Sequence, residues 1–251
     1  MSLQWKTWSQ RVFFRWWEGK SRLRKNRSRS WQRGPVSERP RVESLERRDL
    51  LSGTWTLLTH APSTNIGPMI LLSDGNVMAQ QAGTTSQWYK LTPDNTGNYI
   101  NGTWSSLSSM STTRQYYAAN VLPSGNVVVE GGEYSSAGGD TNRGEIYNSV
   151  TNHWSAIANF PQSNFGDDPT QMLDPTPMFP NGRILAGYIS GQQTYFYNPT
   201  TNAWSFAANK YRSEGSDEET WTKLPDGSIL SYDIFASLAQ HSSTVRVHFR
   251  E

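Results

Sequence analysis

From residue 53 onward the apolar positions fall into short runs, separated by polar turns that each contain a glycine. Four such turns stand out: Leu72-Ser73-Asp74-Gly75-Asn76-Val77, Leu122-Pro123-Ser124-Gly125-Asn126-Val127, Phe179-Pro180-Asn181-Gly182-Arg183-Ile184 and Leu224-Pro225-Asp226-Gly227-Ser228-Ile229. Each glycine follows Asp, Ser or Asn. A two-residue turn with positive φ favours that pairing, and the flanks are rich in Val, Ile, Leu and Met, so each turn predicts a β-hairpin. A second series runs alongside. Trp55, Trp104, Trp154 and Trp204 recur at intervals of 49, 50 and 50 residues, within Gly-Thr-Trp or Thr-Asn-x-Trp. A fixed period of this length signals a repeat architecture. After each of the first three hairpins comes a run containing Tyr89, Tyr147 or Tyr197, then a polar turn such as Asn198-Pro199-Thr200-Thr201-Asn202, then the Trp strand. Each full unit therefore reads as a four-stranded meander.

The full units span about 60–109, 110–160 and 161–210; the fourth, from 211, has its first hairpin and then Ala239-Gln240-His241-Ser242-Ser243-Thr244, with no Trp strand. Runs such as Val127-Val128-Val129 are apolar at consecutive positions, so both faces of the sheet need cover, which a neighbouring sheet on each side supplies. The predicted fold is all-β, a propeller of three full blades plus a partial fourth. Its carriers resemble the kelch or galactose-oxidase-type propeller family: Gly131-Gly132 after Val127-Val128-Val129-Glu130, the runs Ile146-Tyr147-Asn148 and Phe196-Tyr197-Asn198, and Trp seven residues after each of those tyrosines. The resemblance implies that the glycine doublet ends a second strand and that Tyr and Trp pack between blades. The other units carry Gln81-Ala82, Tyr188-Ile189 and Asp233-Ile234 at the doublet's place, so the repeats are degenerate. Three and a fraction blades form an open arc, which implies a truncated relative of a longer propeller and predicts self-association through the raw blade faces.

Charge divides the chain in two. Residues 1 to 50 carry 14 Lys and Arg against 5 Asp and Glu, net +9, while the rest carries net −7, giving +2 overall. Residues 1–52 read as a basic leader and 53–251 as the propeller. Trp5, Trp8, Val12, Phe13, Trp16 and Trp17 recur at spacings of three and four, the pattern of a short helix with an aromatic face that would lie on a membrane surface; a disordered segment awaiting a receptor is the alternative. Residues 20–40 are Arg, Ser, Asn, Gln and Pro with little to bury, and predict disorder. The segment Leu45-Glu46, Arg48 and Leu50-Leu51-Ser52 resembles the LEPR-XLL-type motif of large bacterial surface and secreted proteins, with Arg47 where that motif has Pro. That resemblance implies export or surface display, with the leader meeting the membrane surface or export machinery; without it the address is cytoplasmic. An acidic body argues against nucleic-acid binding by the propeller.

Composition removes several chemistries. With no cysteine there is no disulfide scaffold, thiolate zinc site or cysteine nucleophile, and the Tyr–Cys copper-radical cofactor of galactose oxidase cannot form. His60, His153, His241 and His248 show no metal-binding spacing, and no phosphate loop or nucleophile elbow occurs, so no cofactor or metal is expected. Eight positions before each turn glycine stand Gly67, Tyr117, Asp174 and Glu219. In a propeller that place lies at the mouth of the central channel, where Tyr117, Asp174 and Glu219 would bind a polar ligand. Three functional readings stay open: a non-catalytic binding or display module for a protein or carbohydrate; a carbohydrate-active enzyme with Asp174 and Glu219 as acid and base; and a gene fragment without independent function.

Overall fold

The computed structural model describes residues 53–163, 170–173, 179–211, 214–231 and 245–247. The chain separates into two units, Met1–Gly53 and Thr54–Glu251. The aromatic helix, the disordered stretch and the export motif expected in the leader lie outside the described residues. Among the described residues the second unit is all-β, with fifteen strands and no helix.

The first sheet consists of β1 (Ile66–Leu71), β2 (Val77–Gln81), β3 (Trp88–Thr92) and β4 (Thr103–Ser106); the second of β5 (Ala118–Val121), β6 (Val127–Glu130), β7 (Gly144–Asn148) and β8 (His153–Ala156). The third holds β9 (Thr170–Leu173), β10 (Arg183–Tyr188), β11 (Gly191–Asn198) and β12 (Ala203–Asn209). In all three the strands pair antiparallel in sequence order. A fourth sheet has three strands, β13 (Thr222–Lys223), β14 (Ile229–Ser231) and β15 (Val245–Val247). Trp104, Trp154 and Trp204 sit in the last strand of their sheets, while Trp55 belongs to no strand. The sequence offered only a hairpin for the fourth unit; β15 pairs with β14 and adds a third strand from the region that showed no repeat signal.

The hairpin turns are longer than the two residues expected. Leu72 N donates to Asn76 O at 2.8 Å and Gly75 N to Leu72 O at 3.0 Å, closing a three-residue loop, and Leu122 to Asn126 and Leu224 to Ser228 repeat it. A two-residue type I′ turn needs positive φ at both centres; here only the glycines have it, at 83°, 81°, 67° and 81° for Gly75, Gly125, Gly182 and Gly227. This is a type I turn followed by one left-handed residue, which matches the strand twist with a single glycine. Asp74 and Asp226 brace their turns by accepting from the backbone N–H two residues on.

Apolar layers fill the space between successive sheets. Val127, Val129, Tyr147 and Trp154 of the second sheet pack on Met78 and Trp88 of the first. Ile184 and Tyr197 of the third pack on Val128 of the second, with Ile146 and Trp204 at the margin. β6 is buried on both faces, as its unbroken apolar run requires. Each such side chain withdrawn from water stabilises the fold by about 1.5–3 kcal/mol. The junction is then fixed by a polar clamp that repeats. Trp154 Nε1 donates to Ser108 O at 3.0 Å and Trp204 Nε1 to Ala158 O at 2.9 Å, each reaching back 46 residues. Ser108 N and Ala158 N donate in turn to Oδ1 of Asn152 and Asn202.

Candidate functional site

The first strands of the first two sheets bring the register position eight before their turn glycines to a common cleft. Gly67 on β1 and Tyr117, just before β5, both line a cleft of about 440 Å³ together with Pro68, Gln80, Gln115 and Tyr116. A Cβ at Gly67 would rest in ordinary contact with Ala82 Cα, at 3.4 Å. Tyr116 of the lining stands beside Tyr134. Tyr116 and Tyr134 are 59% and 64% exposed, their ring centroids lie 6.3 Å apart edge to face, and both backbones are left-handed, with φ of 51° and 50°. Such a φ is strained for an aromatic residue and is found where surrounding structure holds it in place. Here the holding bonds are Gln115 N to Glu133 O at 3.3 Å, Glu133 N to Gln115 O at 2.8 Å, and Thr84 Oγ1 to Gln115 Oε1 at 2.9 Å.

Beneath the rim the groups are fixed. Gln80 is buried and its Nε2 donates to Thr85 O at 2.5 Å and Arg114 O at 2.8 Å. Arg114 is wholly buried and donates from Nη2 to Glu145 Oε1 at 2.9 Å and from Nη1 to Gly131 O and Arg143 O. Glu145 also accepts from Ser111 N and Thr112 N. The glycine doublet serves this clamp: Gly131 offers its carbonyl, and at Gly132, with φ of 105°, a Cβ would press on Arg114 Cβ and Gln115 O at 3.0 Å. Tyr117 turns inward against Trp88, 6.0 Å between ring centroids, and its hydroxyl has no hydrogen-bond partner among the described residues. Burial pushes that phenol well above its ordinary value, with the Arg114 charge opposing.

Of the three side chains singled out in the sequence, Tyr117 and Glu219 lie among the described residues. Tyr117 sits at the cleft with its ring in the core. Asp174 lies outside the described residues. Glu219 is buried and its carboxylate is fully engaged, by Lys210 Nζ at 2.5 Å, Trp221 Nε1 at 2.9 Å and Ser231 Oγ at 3.2 Å. Lys210 Nζ donates also to Gly215 O at 2.7 Å. Sequence reasoning missed Gln80, Gln115, Tyr116 and Tyr134. The Tyr116-Tyr117 doublet was visible, but a left-handed backbone at Tyr leaves no mark in composition or period.

A third buried carboxyl was also missed. Glu130, at the end of β6, is 1% exposed, and neither oxygen has a hydrogen-bond partner among the described residues. Desolvation pushes it up to about 8. Among the described residues no three His, Asp or Glu side chains gather so as to hold a metal ion. The cleft therefore offers amides, phenol faces and backbone, while Glu130, Glu145 and Glu219 are withdrawn from solvent.

No family model matches the chain, and no curated protein matches it. Among solved structures, 142 chains match, and one of them, described as the structure of YjhT, aligns with a TM-score of 0.50 at 16% identity. The match covers 72% of this chain and 65% of that one, so the chain spans about two thirds of the length of its structural neighbour. At that identity the likeness concerns the fold alone.

Proposed function

We propose that residues 53–251 are a partial kelch-like propeller, three full blades and part of a fourth, that works as a non-catalytic binding module. The exported or surface location read from the leader motif belongs to the same proposal. The observation that carries it is the cleft between β1 and β5. Its accessible groups are amides and tyrosine faces on a braced, strained rim, and Glu219, the described member of the acid–base pair, is buried in an ion pair with Lys210. Flat aromatic faces beside amide donors and acceptors suit an uncharged, hydroxyl-rich ligand such as a saccharide.

Calorimetric titration of the full chain with a panel of neutral oligosaccharides tests this. At least one should bind without being cleaved, Tyr116→Ala should weaken it about tenfold or more, and Glu219→Gln should leave affinity unchanged. Cleavage of a saccharide by the unaltered protein, abolished by Glu219→Gln, would overturn the reading in favour of an enzyme.

A further inference from the structure

Cross-strand register sorts the first sheet into two faces. Leu71, Val77, Leu91 and Trp104 are successive partners in one row, and Met69, Ala79, Tyr89 and Ser106 in the next, so all eight project from the same face. The matching row in the second sheet is Val121, Val127, Tyr147 and Trp154, and in the third Ile184, Tyr197 and Trp204. In those two sheets this face packs on the preceding sheet, and Val127, Tyr147, Ile184 and Tyr197 are at most 2% exposed. In the first sheet Ala79 and Leu91 are buried on this face, while Leu71 is 64% and Met69 65% exposed. Trp104 Nε1 is buried without a hydrogen-bond partner, although Trp154 and Trp204 each donate to a carbonyl of the preceding unit. A hollow of about 330 Å³ opens on this face between His60 and the side chains of Tyr89, Trp104 and Ser106. The Met69 and Leu71 part of the face is thus left open where the other two sheets are covered.

A counterpart position exists on this same chain at Leu230, in one row with Thr222 and Arg246. Leu230, three residues past its turn glycine, holds the register of Val128, the residue that the second sheet presents to the third. Its neighbour Ile229 points the other way and is 1% exposed, while Leu230 is half-buried. Among the described residues the fourth sheet has three strands with β15 at its edge, whereas Trp55, at the repeat spacing from Trp104, is fully exposed and belongs to no strand.

We infer that the Met69, Leu71, Val77 and Trp104 face docks the fourth sheet of a second copy of this chain, with the Trp55 segment of the first copy lying beside β15 of the second. Continuity with the two junctions inside the chain selects this occupant, because the contact repeats their pairing of faces. Two copies docked in both directions close about a two-fold axis into eight sheets, within the range of about 4–8 over which propellers close. The inference rests on the stacking of the described sheets and is independent of any ligand in the cleft.

Sedimentation of the full chain over about 1 to 100 µM should show a concentration-dependent dimer. Leu71→Glu should raise its dissociation constant about tenfold or more, and Val150→Glu, at a turn residue 89% exposed, should leave it unchanged. The natural chain has no cysteine, so Leu71→Cys and Leu230→Cys variants can be mixed and treated with a bis-maleimide spanning about 10 Å, the separation of packed sheets. A cross-linked heterodimer is expected. A monomer throughout the range, a dimer indifferent to Leu71→Glu, assemblies larger than a dimer, or linkage only within one chain of the double variant would each overturn the inference.

Discussion

The junction between the first and second sheets and that between the second and third share one plan but are finished differently. Five residues past the turn glycine the first sheet has Gln80 and the second Glu130. Gln80 ties its amide to two backbone carbonyls, one of them from Arg114 at the entrance of the next unit. Glu130 occupies the same buried place with no bond among the described residues, and there desolvation favours the neutral acid. At the third sheet the place is Gly187, and a Cβ there would run into Ser216 and meet Trp221 at 3.1 Å. One backbone slot thus accepts an amide, an acid or nothing, provided the next unit fills the remaining space. The lesson is that the apolar layers set the stacking, and the polar finish sets how each junction answers to pH and mutation.

The largest effect should come from the first junction. Arg114→Leu leaves Glu145 buried and uncompensated, and the urea-unfolding free energy should fall by about 3–5 kcal/mol. Adding Glu145→Leu should recover most of that loss, because the unpaired charge disappears with it. An Arg114→Leu variant as stable as the parent would remove the clamp from the comparison.

The second junction should respond to pH with the opposite sign from an ordinary salt-bridged carboxylate. Glu130 in the fold holds its proton to about 8 against an ordinary value of 4.5. Between those values the unfolded chain gives up that proton and the folded one keeps it, so stability should fall as pH rises through this window and level off above it. Glu130→Gln makes the second junction like the first. It should abolish this fall and raise stability at pH 8 by a few kcal/mol, on the order of the shift converted at about 1.4 kcal/mol per unit. Thermal melts of both proteins from pH 5 to 9 would decide, and parallel curves would show that Glu130 does not titrate in the fold.

The indole clamps should differ less. Trp154 is 6% exposed and rests on Trp88 at 5.5 Å, whereas Trp204 is half-buried and meets Phe160 edge to face at 5.1 Å. Trp154→Phe should cost about 2–3 kcal/mol and Trp204→Phe about 1–2, read from denaturant midpoints. The smallest effect should be at Asn152 and Asn202. Both hold φ near 50° and accept a backbone N–H across the junction, so Ala at either should cost about 1 kcal/mol and Gly less. Equal losses for Ala and Gly would assign the whole effect to the hydrogen bond.

The sheets were legible because their signals are local. Asp-Gly and Asn-Gly turns and a tryptophan every 50 residues mark strands without knowledge of what they touch. The loop length was misjudged by one residue, since a glycine after Asp or Ser serves both a two-residue turn and the three-residue turn observed. The site was less legible. The register count lands on Gly67 in β1 and on Tyr117 just before β5, but it weighed side chains by their chemistry. Glu219 carries catalytic chemistry on paper and is bound by a lysine, an indole and a hydroxyl, two of them at least nine residues away in the chain. Tyr116 and Tyr134 looked ordinary because what distinguishes them is backbone conformation. Glu130 read as the polar end of a strand, and only the facing sheet makes it an interior acid.

The indole that reaches back 46 residues has a consequence for how such an array changes length. Each unit carries the donor for the clamp behind it and the acceptor for the clamp ahead. Inserting or deleting one whole period leaves every donor matched, whereas a cut at any other phase strands one partner on each side. Growth or shrinkage in steps of about fifty residues is therefore the form of length variation that this scaffold absorbs most readily.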